Sequence, residues 1–315
     1  MPFKYFNEDG VIRGKTNNGT MNSIVVTKIA YAIGTVFGDP KSDERHRAMV
    51  CKDTRLSGYM FEGAFESGLT AVGMDVKFTG PLPTPGAAWL TRSSRSAVGI
   101  MLTASHHPYD HNGIKLFGPN GSELTEEQKL EIERLVDLEN HGKLFAQPDR
   151  LGKAERIDGA QDRYVTHVKS MLPMHVRFND MRVVLDCAHG ASYKVAFQIL
   201  DELDVDVFNR IGNEPNGLNI NEDCGAAYPQ AAIKEVKRYR ADLGIALDGD
   251  GGQVVMIDEA GSLIDGDRMR SIVANFWKED VPPTNPANDG FVTALQAMSI
   301  IQVRKQKASE VFHSL

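Results

Sequence analysis

Gly99-Ile100-Met101-Leu102-Thr103-Ala104-Ser105-His106-His107-Pro108-Tyr109-Asp110-His111-Asn112-Gly113-Ile114-Lys115-Leu116-Phe117-Gly118-Pro119-Asn120-Gly121, residues 99–121, is the stretch whose reading decides the fold. Residues 98–102 form a short apolar run of the kind buried in a parallel sheet. The run stops at Thr103-Ala104-Ser105-His106-His107-Pro108, a polar turn that Pro108 keeps from becoming helix. Ser105 therefore stands on a loop at the exit of a buried strand, with histidines beside it and Lys115 ten residues on. Rigid elements that present loops in this way are common seats of chemistry. A strand exit whose polar residues only cap backbone groups gives the same local pattern, so the rest of the chain must separate the two readings.

The neighbouring segments alternate. Residues 48–51 are apolar and short. Residues 59–72 carry apolar side chains at helical spacing and end at Gly73. Residues 75–78 read as a strand that breaks at Gly80-Pro81-Leu82-Pro83-Thr84-Pro85. A short helix leads back to the Ser105 strand. This β-α-β rhythm predicts a mostly parallel sheet with helices on both faces. Residues 123–138 predict a charged amphipathic helix capped at Ser122 or Thr125. Residues 141–152 read as a linker. The rhythm then restarts: strand 182–186 running into Cys187-Ala188-His189-Gly190-Ala191, helix 193–203, strand 205–208, the loop at 212–217, helix 229–239 and strand 243–247. Two copies of one plan predict two similar α/β domains. Beyond Asp267, residues 269–277 and 289–301 read as helices separated by a Pro/Asn-rich stretch at 281–288, too little for a third complete domain.

The chain has 315 residues, enough for two or three domains at roughly 150 residues each. Its 42% hydrophobic and 24% charged content is that of a globular protein. A net charge of −7 disfavours nucleic acid or an anionic membrane as main partner. No apolar run approaches the ~18 residues of a spanning helix, and the N-terminal residues lack a signal-peptide core. Three widely spaced cysteines (Cys51, Cys187, Cys224) suggest buried, reduced thiols. A cytoplasmic location is the expectation.

A second loop, Asp248-Gly249-Asp250-Gly251-Gly252-Gln253, leaves one apolar strand and precedes another at 254–257. Alternating carboxylates on a glycine-rich turn can converge on a hard cation such as Mg²⁺ or Ca²⁺. An EF-hand reading places Asp248, Asp250 and Glu259 at positions 1, 3 and 12. It fails where Gln253 replaces the required glycine and where strands replace helices. A tight hairpin with solvated aspartates is the plain alternative. A serine loop on one α/β domain and a carboxylate loop on the next fit phosphoryl transfer, since a phosphoserine of about −1.5 to −2 charge needs a divalent cation and positive side chains.

These residues resemble the α-D-phosphohexomutase superfamily, most nearly the bacterial phosphoglucosamine mutases. The similarity runs from about Lys4 to Asp267. It is carried by Lys4-Tyr5-Phe6 with Asp9-Gly10 and Arg13-Gly14, by Lys52-Asp53-Thr54-Arg55-Leu56-Ser57-Gly58, by 80–85, by the Ser105 loop, by 186–191, by Glu214-Pro215-Asn216-Gly217-Leu218-Asn219-Ile220-Asn221, and by Asp248-Gly249-Asp250-Gly251. The resemblance implies two complete phosphohexomutase-type domains with mixed, mostly parallel sheets, at 1–145 (phosphoserine loop) and 150–256 (metal loop). Residues 257–315 would be a remnant of domain three, with domain four expected to be absent. It implies interconversion of glucosamine 6-phosphate and glucosamine 1-phosphate, upstream of UDP-N-acetylglucosamine, with Mg²⁺ and a sugar bisphosphate activator. Ser105 would carry the phosphoryl group. Mg²⁺ would be held by phosphorylated Ser105, Asp248 and Asp250. His106 and Lys115 would move protons or stabilise charge, and Arg13 would contact phosphate. The partner would be a phosphosugar, and a homo-oligomer stays open.

The chain departs from the family in places. The family's metal loop reads Asp-Gly-Asp-(Gly/Ala)-Asp-Arg; here Gly252 and Gln253 replace the last two, removing a ligand. Losses even one shell further out cost ~10–100-fold in metal affinity. Ser-His-Asn-Pro has become Ser105-His106-His107-Pro108. One extra residue precedes Arg13, and Cys51 replaces a glycine. The sugar-binding Glu-x-x-Ser-Gly-His and phosphate-binding Arg-x-Ser-Gly-Thr-Glu-Pro loops are missing. Residues 288–296 resemble the end of domain three, as an internal deletion followed by truncation would leave them. Two further readings stay open: a catalytically degenerate relative that keeps the fold and with it phosphosugar or partner binding, and a metal-binding or regulatory module built on His106, His107 and His111. His189 reads as a loop-packing residue and residues 43–47 as a solvated charged loop.

Overall fold

The computed structural model describes residues 4–38, 46–277 and 289–313. They fall into two compact units that divide between Ala160 and Gln161. In the first, β1 (Ile12–Lys15), α1 (Ser23–Phe37), β2 (Arg47–Lys52), α2 (Ser57–Ala71), β3 (Asp75–Pro81), α3 (Thr84–Ser93), β4 (Val98–Leu102), β5 (His111–Phe117), α4 (Glu126–Val136) and β6 (Ala154–Arg156) follow in order. The sheet runs β1-β5-β4-β2-β3-β6. The three pairs from β4 to β6 are parallel, and β1–β5 and β5–β4 are antiparallel. Strands β2 and β4 lie centrally and are buried on both faces, hence their unbroken apolar sequence.

Strand alternation assigns the faces. Ala48, Val50, Val98, Ile100, Leu102 and Ile114 turn into one core with α1, α2 and α4. Gly99, Met101, Gly113 and Lys115 turn the other way, as does Arg13, which pairs with Gly113 in the β1–β5 register. Helix α3 packs on that face so closely that a Cβ on Gly99 would stand 2.0 Å from Thr91 Oγ1. The proline-rich stretch at 80–85 opens α3, where Pro85 in the first turn removes no helical hydrogen bond. Of the two caps expected for α4, Thr125 is used: its hydroxyl accepts from Gln128 N–H while the Gln128 side chain accepts from Thr125 N–H.

The second unit holds α5 (Ala160–Ser170), β7 (Arg182–Asp186), α6 (Val195–Asp201), β8 (Asp206–Ile211), α7 (Gln230–Tyr239), β9 (Leu243–Leu247), β10 (Val254–Asp258), β11 (Leu263–Ile264), α8 (Gly266–Trp277), α9 (Gly290–Arg304) and α10 (Ala308–His313). Its sheet runs β11-β10-β9-β7-β8, with β9–β7 and β7–β8 parallel and the other pairs antiparallel. The five-strand plan β1-β5-β4-β2-β3 thus recurs, and even the register shift in the β2–β3 pair has its counterpart in β7–β8. The repeat expected from the sequence is structural.

Helix α7 covers Val184, Ala246 and Ile257 through Ala232 and Val236. Helix α9 lies against β9 and β10 and is buried on nearly all sides, with α8 and α10 beside it. Asp289 anchors its start. One oxygen accepts from Val292 N–H at 3.0 Å and the other from the buried Tyr164 hydroxyl at 2.6 Å. Gln296 donates to the Met171 carbonyl and Trp277 to the Gln296 carbonyl. The described residues of 257–313 are built into the second unit. The Pro/Asn-rich stretch at 281–288 and residues 43–45 lie outside the described residues.

The three cysteines are buried and free, and burial pushes the thiols of Cys51 and Cys224 up to about 12 and that of Cys187 higher still. They are therefore unreactive at neutral pH. No helix of the described residues is long and apolar enough to cross a membrane.

Candidate active site

Ser105 sits three residues beyond β4 with φ +54° and is almost wholly buried. A serine in the left-handed region is uncommon and costs of order 1–3 kcal/mol, so the surroundings must enforce it. They do so from both sides of the residue. Its N–H donates to Thr103 Oγ1 at 2.9 Å, and that hydroxyl donates to Asp53 Oδ2 at 2.7 Å. Its carbonyl accepts from Arg55 Nη2 at 3.0 Å.

Arg55 gathers the whole loop. Its guanidinium also donates to the carbonyls of His107 (2.8 Å), His111 (3.1 Å) and Pro108. Its Nε donates to Asp53 Oδ2 at 2.8 Å, and both side chains are fully buried. Asp53 accepts the Arg55 N–H as well. Every fork of one planar cation is thus spent on loop carbonyls or on a buried carboxylate, a role that an ammonium could not fill. In the sequence Asp53 and Arg55 stand out only through resemblance, without an assigned function. The available signal was a charged Asp-Thr-Arg directly at the exit of a strand buried on both faces.

Arg13 contacts the same loop. Its Nη1 lies 3.4 Å from His107 Nε2, and Nη2 donates to Asp9 Oδ2 at 2.9 Å. The extra residue before Arg13 therefore does not carry it away from the loop. An arginine only donates, so the facing His107 nitrogen must be unprotonated. Burial, and then the positive charges of Arg13 and neighbouring side chains, lower the His107 pKa to about 4. Lys115 shares the Arg13 face of the sheet through the register described above. His106 is exposed. The rings of His106 and His107 stack at 4.7 Å, and those of His107 and His111 at 5.5 Å, while His111 pairs with Asp110. Stacked faces do not converge nitrogens, and no group of three His, Cys, Asp or Glu able to hold a metal occurs among the described residues.

In the second unit the carboxylate loop joins β9 to β10 as a hairpin, without the helices of an EF-hand. Asp248 and Asp250 are both buried. Asp248 Oδ1 accepts from Gln253 N–H and Asp250 Oδ1 from Gly252 N–H, with Gly251 at φ +68° making the turn. The loop rests on residues 187–191: Ala191 N–H donates to the Gly249 carbonyl at 2.8 Å, and a Cβ on Gly190 would stand 2.3 Å from that oxygen. Asp186 organises the support by accepting from Ala188 N–H at 2.9 Å and Gly225 N–H at 2.7 Å, and burial raises its pKa. His189 Nδ1 accepts from Glu214 N–H, a loop-holding contact. The start of α9 also touches this loop, with a Cβ on Gly290 placed 3.1 Å from the Gly252 carbonyl. Gly252 itself contributes no oxygen side chain.

Arg55→Met leaves Asp53 buried without its cation, and the expected loss is ~3–5 kcal/mol in urea unfolding. Stability equal to that of the parent chain contradicts the clamp. His107 carries a pH dependence of definite sign. Its folded pKa lies below the ordinary 6.5, so the unfolded chain takes up the proton first as pH falls. The contribution is complete above about 6.5 and is lost as pH drops toward about 4. His107→Asn should flatten unfolding midpoints across that interval, and an unchanged slope refutes the assignment.

The phosphoglucomutase/phosphomannomutase family model for alpha/beta/alpha domain I matches residues 4–142, and that for domain II matches residues 162–261. A phosphoglucosamine mutase of Afipia carboxidovorans is 49% identical over 297 residues, which are 94% of this chain and 64% of the relative. One of Rhizobium etli is 48% identical over 89% of this chain and 61% of its own length. The chain thus spans less than two thirds of these relatives. A putative phosphomannomutase structure from Thermus thermophilus superposes with a TM-score of 0.82 at 20% identity, covering 99% of this chain and 83% of that one. A family structure from Burkholderia thailandensis gives 0.77 at 21% identity over 96% and 77%. With both domain models matched in order across most of its length, the chain belongs to the phosphoglucomutase/phosphomannomutase family.

Proposed function

We propose that this chain performs phosphoglucosamine mutase-type phosphoryl transfer in the cytoplasm, interconverting glucosamine 6-phosphate and glucosamine 1-phosphate with Ser105 as the phosphoryl carrier. The observation that carries the reading is the Ser105 backbone, held left-handed by hydrogen bonds to Thr103 and Arg55. Preorganisation of this kind is what phosphoryl transfer chiefly asks of a protein. In the first half-reaction a sugar hydroxyl oxygen bonds to phosphorus as the bond to Ser105 Oγ breaks. The hydroxyl proton leaves to a base, and Oγ regains a proton. In the second half-reaction, Ser105 takes the other phosphoryl group back from the bisphosphate, so a sugar bisphosphate also serves as activator. Lys115 and His106 are proposed to handle protons and developing charge. Arg13, held toward the loop by His107 and Asp9, is proposed to face a phosphate oxygen.

The donor set at 248–253 suits Mg²⁺: two buried carboxylates, oxygen only, on a turn that Gly251 permits. Asp248 and Asp250 would hold the ion, with water in the place Gly252 leaves vacant, and when bound it supplies positive charge against the phosphate. Residues 257–315 we read as the remnant of a third domain, whose described residues are reused as packing for the second unit. The loss of the third carboxylate favours a second reading, a catalytically degenerate relative that keeps the fold and phosphosugar or partner binding.

Glucosamine 6-phosphate, Mg²⁺ and a catalytic amount of sugar bisphosphate should give glucosamine 1-phosphate at a rate that Ser105→Ala abolishes. No product above that control, from a folded chain that gains little phosphate on Ser105, selects the second reading. Clean phosphorylation of Ser105 without product refutes both.

A further inference from the structure

Away from both loops, the first unit has a cavity of about 460 Å³ at the amino ends of β2 and β4. Ser105 follows the carboxyl end of β4, on the order of 20 Å along the strand from this cavity at ~3.3 Å per residue. His46 and Arg47 line it from the start of β2, and Arg92, Arg95 and Ser96 from the turn between α3 and β4. No carboxylate lines it among the described residues. Among the described residues none of the three arginines has an ion-pair partner either, in a chain whose net charge is −7.

Two further atoms point to a ligand. Ser96 is wholly buried, and among the described residues its Oγ has no hydrogen-bond partner; His46 Nε2 is likewise buried and unpartnered among them. Buried polar atoms of this kind are rare without a reason. The backbone does not supply one, because Ser96 N–H donates to the Thr91 carbonyl and Ala97 N–H to the Arg47 carbonyl. The negative end of α3 accounts for Arg92 in its last turn. It does not account for Arg47, which comes from a strand, or for Arg95, which holds φ +52° at the cavity edge. Guanidinium groups with a hydroxyl and an imidazole nitrogen form the donor set that phosphate oxygens select. The volume exceeds what a bare phosphate needs and lies in the range of small-molecule sites.

We propose that this cavity is a second phosphate-binding site, distinct from the Ser105 loop, that takes the phosphate group of a small molecule. Amide NMR shifts of the full chain, titrated at constant ionic strength with inorganic phosphate and separately with glucosamine 6-phosphate, test it. Both ligands should move the Ser96 and Ala97 amides saturably. Arg92→Ala with Arg95→Ala should weaken that binding at least ~10-fold, the scale of one charge-assisted hydrogen bond. Both arginines are exposed, so an unchanged urea midpoint confirms the fold of the double variant. Ser105→Ala should leave this titration as it is. Tighter binding of the phosphosugar places the sugar inside the cavity, and equal binding places the phosphate there alone. Shifts confined to residues 103–111, shifts reproduced by chloride, or indifference to the double variant overturn the proposal.

Discussion

The buried pairing of Arg55 with Asp53 is the constraint on which the Ser105 loop depends. A cation and an anion with no exposure are costly to desolvate, and the pair is tolerable only if the remaining donors find partners. Here the partners are the carbonyls of residues 105, 107, 108 and 111. The loop folds because it completes the ion pair, and the ion pair is stable because the loop folds. The strained Ser105 backbone is a consequence of that closure.

The second unit applies the same device in a milder form. Asp53 ends β2's exit and accepts the N–H two residues on; Asp186 ends β7 and accepts the N–H of Ala188, again two residues on. In the repeated sheet plan, β2 matches β7, β4 matches β9 and β5 matches β10. The Ser105 loop and the carboxylate loop therefore occupy one position in two copies of one architecture, each joining the antiparallel pair. A single scaffold has supplied a hydroxyl in one copy and carboxylates in the other, and a buried aspartate at the neighbouring strand exit steadies both.

Much of this was legible in the sequence. Strands β2, β4, β7 and β9 are buried on both faces and announce themselves as apolar runs, and the loops that follow β4 and β9 stand out against them. Strands β1 and β5 were not legible. With Arg13 on one and His111 and Lys115 on the other, they carry polar residues on one face, and Gly14 and Gly113 interrupt their alternation. Helix α1 is rich in Ile, Val and Thr, which blurs the distinction from strand. The clamp was hidden for a different reason: Arg55 acts on residues about fifty positions away, and side-chain reach across a fold has no local signature. Nor does periodicity reveal that α9 completes the second unit, since its burial depends on Tyr164 and Asp289 meeting across 125 residues.

The Ser105 loop is proposed to be shaped to carry a phosphoryl group. Intact mass followed by peptide mapping, after incubation with a sugar bisphosphate and Mg²⁺, tests this without a coupled assay. One added phosphate is expected, on Ser105 and absent from Ser105→Ala. A folded chain that gains no phosphate, or that carries it on another residue, would contradict it.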